Sequence, residues 1–332
     1  MSALSRPRAL VLVTIAACLG SASPSPATAG HLSPSARTDG PWTYKYGIAH
    51  TDGLYLQEVK FNSKLVLAKI SLVQIEVEYT EPGEPTYVFY DELGNGEATA
   101  GSTLYPPSGP LGITSLADGG VKLSQEFRLG WWEPDALCQY RYVMEYWLHG
   151  NGDIKPWVIT YGPGCHWDYT GRYHFFYRAD FDIRGGSNDK FAHWHTTSWE
   201  VPSTETANPH HDDYNNRFGQ YNGPEWQTWE PASPVGTYNF DPFTYDTTEL
   251  WILQFDDATG AIGHDLAAKI QPGVAWHVPP DLWSNNESVQ NADIVHWYAI
   301  HATRLPGYGN GACWPMNPCV RGPDRFNPTG SW

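Results

Sequence analysis

The feature that most constrains the fold is a pair of β-rich runs joined at Asn151-Gly152. Asn-Gly between two such runs is a strong signal for a β-hairpin, because a two-residue type I′ turn needs positive φ at both positions. Side chains alternate between the two faces of a strand, and one face of the first run is apolar. That face consists of Cys138, Tyr140, Tyr142, Met144, Tyr146 and Leu148. The sequence therefore predicts a hairpin whose tyrosines point into a core.

The register of this hairpin also concerns the cysteines. If Gly150 lies opposite Asp153, then Cys138 lies opposite Cys165, which suits a disulfide. Outside the N-terminal segment the chain has four cysteines, which allow three connectivities. The hairpin register favours a disulfide between Cys138 and Cys165. A disulfide between Cys313 and Cys319 would then close a short loop near the C-terminus. An even number of cysteines is typical of an oxidising compartment.

Composition favours sheets over helices along the whole chain. The 332 residues include 16 Trp and 20 Tyr beside 32 Gly and 27 Pro. Aromatic side chains suit pleated surfaces, whereas Gly and Pro interrupt helices, and no long amphipathic helix pattern is present. With 41% hydrophobic and 17% charged residues, the chain can bury a large core. An extended β architecture is therefore expected.

The N-terminus has the pattern of an export signal. Two basic residues, Arg6 and Arg8, precede the apolar run Ala9–Leu19, which is too short to span a bilayer. A small-residue cleavage motif follows, so residues 1–29 are predicted to be a signal peptide and residues 30–41 a flexible linker. The protein is therefore expected to be secreted.

Two further features concern the location and the partners of the protein. The run Ile15-Ala16-Ala17-Cys18 resembles a bacterial lipobox, so a lipid anchor on Cys18 at the cell surface is the alternative to free secretion. Neither interpretation includes a membrane span. The formal net charge of −16 at pH 7 argues against a nucleic acid partner, because an acidic surface repels phosphates and attracts cations or amines.

The run from Tyr140 to Pro156 resembles, without a gap, the strand pair of copper amine oxidases in which a tyrosine is oxidised to a quinone cofactor. The family motif is Asn-Tyr-(Asp/Glu)-Tyr, and the corresponding run here is Gln139-Tyr140-Arg141-Tyr142. The resemblance implies that Tyr140 is the cofactor precursor.

The segment Phe89–Gly94 is similar to the family turn that holds the catalytic base, which implies that role for Asp91. The alternative is that Asp91 is a turn former, as an Asp ahead of a Gly-rich turn usually is.

The copper ligands of the family align with other residue types in this chain. The strand Gly171–Gly185 resembles the family strand that begins His-x-His, and the gapless alignment places Gly171 and Tyr173 at the two ligand positions. The closing strand before Pro306 places Arg304 at the third. The nearby His174 is one residue late, so it points to the opposite face of a regular strand. We expect His174 to bind copper only if a β-bulge or a local deletion restores its direction.

The peripheral calcium site of the family aligns with carboxylates. The resemblance implies Asp180, Asp182 and Asp293 as ligands, with the backbone carbonyls of Phe181 and Ile294, and oxygen donors of this kind suit Ca²⁺. The alternative is that Asp180 and Asp182 form ion pairs with neighbouring arginines. A separate pair of histidines, His193-x-His195, has a spacing that can chelate a metal but is also frequent by chance in a chain with 13 histidines.

Together these matches imply an all-β fold, a large antiparallel β-sandwich like the copper amine oxidase catalytic domain, over residues 42–332. The implied activity is oxidative deamination of primary amines by O₂, with copper and a quinone derived from Tyr140, in a homodimer. The substituted copper positions leave a second function open. It is a catalytically inactive β-sandwich that serves as a binding or surface module and is stabilised by calcium.

Overall fold

The architecture follows from the short alternating runs and their turn residues. The structure, a computed structural model, describes residues 33–80, 87–98, 101–129, 140–161, 170–183, 188–195, 198–208, 218–222, 225–231, 248–254, 286–304 and 320–327. These residues form twenty strands in two sheets, and no α-helix occurs among them. Within the same residues there is accordingly no helix of the length and apolarity needed to cross a bilayer.

The first sheet has ten strands. Eight of them follow one another in a continuous order, and the other two form a branch that begins at β4. In spatial order the eight are β1 (Ser35–Asp39), β2 (Trp42–Ile48), β3 (Leu54–Phe61), β4 (Lys64–Thr80), β11 (Thr170–Asp180), β19 (Ile294–Arg304), β17 (Thr248–Gln254) and β14 (Thr206–Asn208). The two others are β5 (Tyr87–Leu93), which pairs with β4, and β6 (Ser102–Tyr105), which pairs in parallel with β5. β1 lies within residues 30–41, the segment that was predicted to be a flexible linker.

The second sheet has nine strands in a continuous order and one more at β12. In spatial order the nine are β13 (Ser198–Glu200), β12 (Asp189–His195), β15 (Phe218–Asn222), β16 (Glu225–Pro231), β20 (Val320–Asn327), β10 (Ile154–Tyr161), β9 (Arg141–Leu148), β8 (Val121–Arg128) and β7 (Pro107–Ser115). The tenth strand, β18 (Gln290–Ala292), pairs with β12. Apart from the β5–β6 pair, all the strand pairs of both sheets are antiparallel.

The two sheets share one hydrophobic core. Alternate residues of β4, such as Ile75 and Val77, are buried together with Tyr142 and Tyr146 of β9 and Phe175 of β11. In β8 every second residue is buried. Apolar faces of two sheets that bury each other in this way define a sandwich. The predicted antiparallel β-sandwich is thereby confirmed.

The hairpin at Asn151-Gly152 exists, but its register differs from the prediction. Leu148 pairs with Ile154, and the amide of His149 donates to the carbonyl oxygen of Asp153 over 2.8 Å. The loop therefore has three residues, and only Gly152 has positive φ, at 98°. A three-residue loop with glycine in the left-handed region is the next common hairpin type after the two-residue turn. The predicted two-residue turn is wrong, and every residue of the first strand pairs one position away from the partner that the prediction gave it.

This shift removes the register argument for the disulfide between Cys138 and Cys165. Both cysteines lie outside the described residues, as do Cys313, Cys319 and Cys18. The two disulfides and the lipid anchor therefore stay predictions.

Candidate functional site around Tyr140

Tyr140 lies immediately before β9 in a cluster of buried phenols. Its side chain is 4% exposed, and its hydroxyl oxygen is 3.1 Å from that of Tyr173. The hydroxyl groups of Tyr140 and Tyr79 are also hydrogen-bonded to each other. The ring of Tyr140 packs on that of Tyr142 with centroids 5.4 Å apart, and the ring of Tyr173 meets it edge-on at 6.1 Å. Phenol groups from three strand regions thus converge on Tyr140.

The pairing of β4, β11 and β19 explains why these groups meet. Tyr79 is opposite Gly171, and Gly171 is opposite Arg304 on the other side of β11. Val77 and Tyr173 form the next inward-facing row, two residues along each strand. Side chains two residues apart share a face, so Tyr79 and Tyr173 both point to the core that contains Tyr140. The three positions that align with copper ligands, Gly171, Tyr173 and Arg304, are therefore neighbours in space along the backbone.

Asp91 belongs to the same cluster through Tyr142. Asp91 lies inside β5, opposite Ile75, and not in a turn, and it is 3% exposed. Its carboxylate accepts a hydrogen bond from the hydroxyl group of Tyr142. Burial raises the pKa of Asp91 to about 7, the nearby charge of Glu92 also raises it, and the hydrogen bond from Tyr142 opposes them. A carboxyl with a pKa near neutrality can exchange a proton at physiological pH.

The remaining side of Tyr142 faces another tyrosine. The ring of Tyr105, from β6, meets that of Tyr142 edge-on with centroids 5.1 Å apart. Burial raises the pKa of Tyr142 well above its ordinary value, and the neighbouring Asp91 and Tyr105 add to this. Tyr142 therefore stays a hydrogen-bond donor to Asp91 at physiological pH.

His174 lies on the other face of β11 from Tyr140. It is opposite Glu76 of β4, and its Nε2 atom is 3.8 Å from a carboxylate oxygen of Glu78. The register between β4 and β11 is regular from Thr170 to Phe176 and shifts only after Phe176. The irregularity therefore comes too late to turn His174 inward. The structure links Tyr140 to Asp91 through Tyr142 and does not bring His174 to them.

The predicted calcium ligands are near one another. Burial raises the pKa of Asp180 to about 7, and the charges of Asp293, Asp182 and Asp189 also raise it, while Arg178 opposes them. One guanidinium nitrogen of Arg178 is 3.9 Å from a carboxylate oxygen of Asp180. Across the described ranges, no three His, Cys, Asp or Glu side chains form a group that could hold a metal ion. The ion-pair alternative thus has a contact in the structure, and the calcium site stays a prediction.

The histidine pair at 193 and 195 belongs to β12, and its side chains are outside those described.

Sequence reasoning missed Tyr79, Tyr105 and Glu76. Tyr79 ends the alternating run that contains Ile75 and Val77, so its inward direction could have been inferred. Its contact with Tyr140 could not, because these residues are 61 positions apart in the chain.

The structure resembles those of known amine oxidases. A copper-containing benzylamine oxidase from Hansenula polymorpha matches with a TM-score of 0.56 and 12% identity, over 90% of this chain and 62% of that chain. An Aspergillus nidulans amine oxidase matches with a TM-score of 0.56 and 13% identity, over 86% and 50%. Pichia pastoris lysyl oxidase matches with a TM-score of 0.54 and 12% identity, over 86% of this chain and 50% of that chain. The fold is that of the copper amine oxidases.

The similarity is confined to the fold. At 12–13% identity the likeness gives the architecture alone, and the chain spans half to about three-fifths of the length of these proteins. No protein-family model matches the sequence, and no curated protein sequence matches it. The activity has to be argued from the site.

The described residues around Tyr140 do not fit a copper ion. Copper(II) favours imidazole nitrogen, whereas the described hydrogen bonds of the Tyr140 hydroxyl run to the phenols of Tyr79 and Tyr173. Of the aligned ligand positions, Gly171 has no side chain, and the guanidinium of Arg304 is a poor metal ligand because it stays protonated. His174 faces the other side of the sheet.

Proposed function

We propose that this chain is an exported binding module with the copper amine oxidase fold, and that it does not carry out copper-dependent amine oxidation. The observation that supports this is the contact between the hydroxyl groups of Tyr140 and Tyr173 at 3.1 Å. In the family resemblance, position 173 holds a copper ligand, and here it holds a phenol that is hydrogen-bonded to the tyrosine in question. Tyr140 is then not the precursor of a quinone cofactor.

The export part of the proposal depends on the N-terminal pattern, with either free secretion or a lipid on Cys18. The net charge of −16 suits a cationic or amine-bearing ligand. The buried carboxyl of Asp91 is a group that could attract an ammonium ion once the carboxyl has lost its proton. Homodimer formation remains a prediction from the resemblance.

The test is a measurement of quinone formation. The purified protein is incubated with Cu²⁺ and O₂, dialysed against a chelator, and stained for quinone, and its copper content is determined. An established copper amine oxidase treated in the same way is the positive control. We expect no quinone stain and no stoichiometric copper. A stain that appears in the wild type and is lost in Tyr140→Phe would disprove the proposal.

A second candidate is the activity of the structural neighbours, oxidation of primary amines by O₂. The observation that favours it is Asp91, which is buried, has a pKa near 7 and is linked through Tyr142 to Tyr140. General bases work best when their pKa is near the operating pH. Peroxide release from a panel of primary amines, compared between the wild type and Asp91→Asn, would reveal this activity.

A further inference from the structure

We propose that Tyr79, Tyr140 and Tyr173 form a binding site for a hard trivalent metal ion, with Fe³⁺ as the representative cation. The three hydroxyl groups come from different parts of the chain, and Tyr140 contacts both of the others. All three side chains are buried, with at most 4% exposed. Three oxygen donors therefore lie in succession inside the protein, with Tyr140 between the other two, where one cation could take the place of the hydroxyl protons.

The type of donor determines the type of cation. A phenol oxygen becomes a strong ligand only after it loses its proton, and the ordinary pKa of a tyrosine is about 10. The cation must therefore attract the oxygen strongly enough to displace protons at neutral pH. Electrostatic attraction increases with the charge of the cation, so a trivalent ion is favoured over a divalent one.

The charges also balance for this choice. Three phenolates carry three negative charges, which one Fe³⁺ neutralises, so the loaded site adds no net charge to the core. Binding would release three protons to solvent. A divalent ion would leave one phenolate uncompensated, or one phenol protonated and weakly bound. The donor set thus discriminates against Ca²⁺, and three phenol oxygens are not the imidazole donors that Cu²⁺ prefers.

Neighbouring groups can support the site. Gly171 lies opposite Tyr79 in the sheet and brings no side chain to that row. The ring of Tyr142 packs on Tyr140, and its hydroxyl is held by Asp91. Groups that fix the orientation of the ligands raise metal affinity. Asp91 and Tyr142 would act in this way, without being ligands.

The experiment uses the full chain and ferric nitrilotriacetate as the probe. After incubation and desalting, the iron content and the visible absorption spectrum are measured. We expect one iron per chain and a phenolate-to-iron charge-transfer band, which a strong chelator removes. A quinone would instead survive the chelator and take up the stain, so the failure of this proposal and that of the proposed function are distinguishable.

Two variants and a control locate the site. Tyr173→Phe and Tyr79→Phe are expected to lose the band and at least about nine-tenths of the bound iron, since each removes a ligand oxygen and nothing else. Tyr146→Phe is the control, because Tyr146 is also a buried tyrosine of β9, but its hydroxyl donates to the carbonyl oxygen of Ile70. Iron binding without a visible band, or a band unchanged in Tyr173→Phe, would overturn the proposal.

A measurement on the wild type covers the case in which these variants do not fold. Titration with Ga³⁺, a redox-inert ion of the same charge, is followed by ultraviolet difference spectroscopy. We expect a tyrosinate signal that saturates at one ion per chain, and no such signal with Ca²⁺. A flat titration would also overturn the proposal.

Discussion

The hydroxyl group of Tyr173 is hydrogen-bonded to that of Tyr140, with the two oxygen atoms 3.1 Å apart. In the sequence resemblance, Tyr140 takes the position of the cofactor precursor and Tyr173 takes that of a copper ligand. The chemistry of the pair is different, since a phenol replaces an imidazole.

The bond between Tyr142 and Asp91 can be tested by Tyr142→Phe. The substitution leaves a buried carboxyl without the hydroxyl donor that it has in the structure. Loss of one partner of a buried hydrogen bond costs about 1–3 kcal/mol, so the urea midpoint should fall accordingly. Tyr146→Phe is the control, because its bond to the Ile70 carbonyl is long, at 3.4 Å, and should contribute less. Equal losses in the two variants would contradict this assignment.

Glu76 should make the stability of the protein depend on pH. Glu76 is 0% exposed, and neither of its carboxyl oxygens has a hydrogen-bond partner in the described part of the chain. Burial raises its pKa to about 9, and the charge of Glu78 adds to this. His174 of β11 and Tyr90 of β5 lie opposite it in the register. The folded state therefore keeps a proton that the unfolded state loses above the ordinary value of 4.5.

The sign of the effect follows from this difference. Because the folded state binds the extra proton, the free energy of unfolding falls as pH rises between about 4.5 and 9, by at most about 1.4 kcal/mol per pH unit. The glutamine in Glu76→Gln cannot ionise. We therefore expect the free energy of unfolding of this variant, measured in urea, to rise steadily relative to that of the wild type from pH 5 to pH 9. Glu97→Gln, at an exposed position, is the control. A difference that does not change with pH would refute the buried-proton assignment.

Strand alternation was the part of the sequence that predicted most. It placed Tyr140, Tyr142 and Tyr146 on the core face of β9, and all three are buried. It also placed His174 on the opposite face of β11 from Tyr173, as the structure shows. Alternation depends only on neighbouring residues, so a sequence reveals it directly.

Register and long-range contact were not predictable in the same way. The hairpin loop has three residues and not two, and Asn-Gly is compatible with both because Gly152 supplies the positive φ in either case. Nothing local relates Tyr79 to Tyr140, because their contact depends on how two sheets pack. The same holds for Asp91 and Tyr142, which are 51 positions apart.

Calcium should stabilise the protein if Asp180, Asp182 and Asp293 bind it. The pKa values of Asp180 and Asp293 are raised by burial and by neighbouring carboxylates, so a divalent cation would relieve repulsion between them. At one hundred times the dissociation constant, calcium would add about 2.7 kcal/mol to the free energy of unfolding. We expect a rise of the thermal midpoint with Ca²⁺ that is absent in Asp293→Asn. Magnesium should have a smaller effect, because it needs stricter octahedral geometry.

Asp118→Asn is the control for this experiment, since Asp118 is a carboxylate that pairs with His149 beside the hairpin. It should keep the calcium response. A midpoint that does not respond to calcium would favour the alternative, in which Arg178 is the counter-ion of Asp180.

Gly152→Ala should destabilise the hairpin that carries Tyr140. Gly152 has φ of 98°, a backbone conformation that an alanine adopts only with strain of about 1–3 kcal/mol. Gly112→Ala is the control, because its added Cβ would meet the nearest atom, a carbonyl oxygen of Ser124, at an ordinary 3.6 Å. Urea unfolding should therefore show a clear loss only for Gly152→Ala. Equal midpoints for the two variants would mean that the three-residue loop is not the conformation in solution.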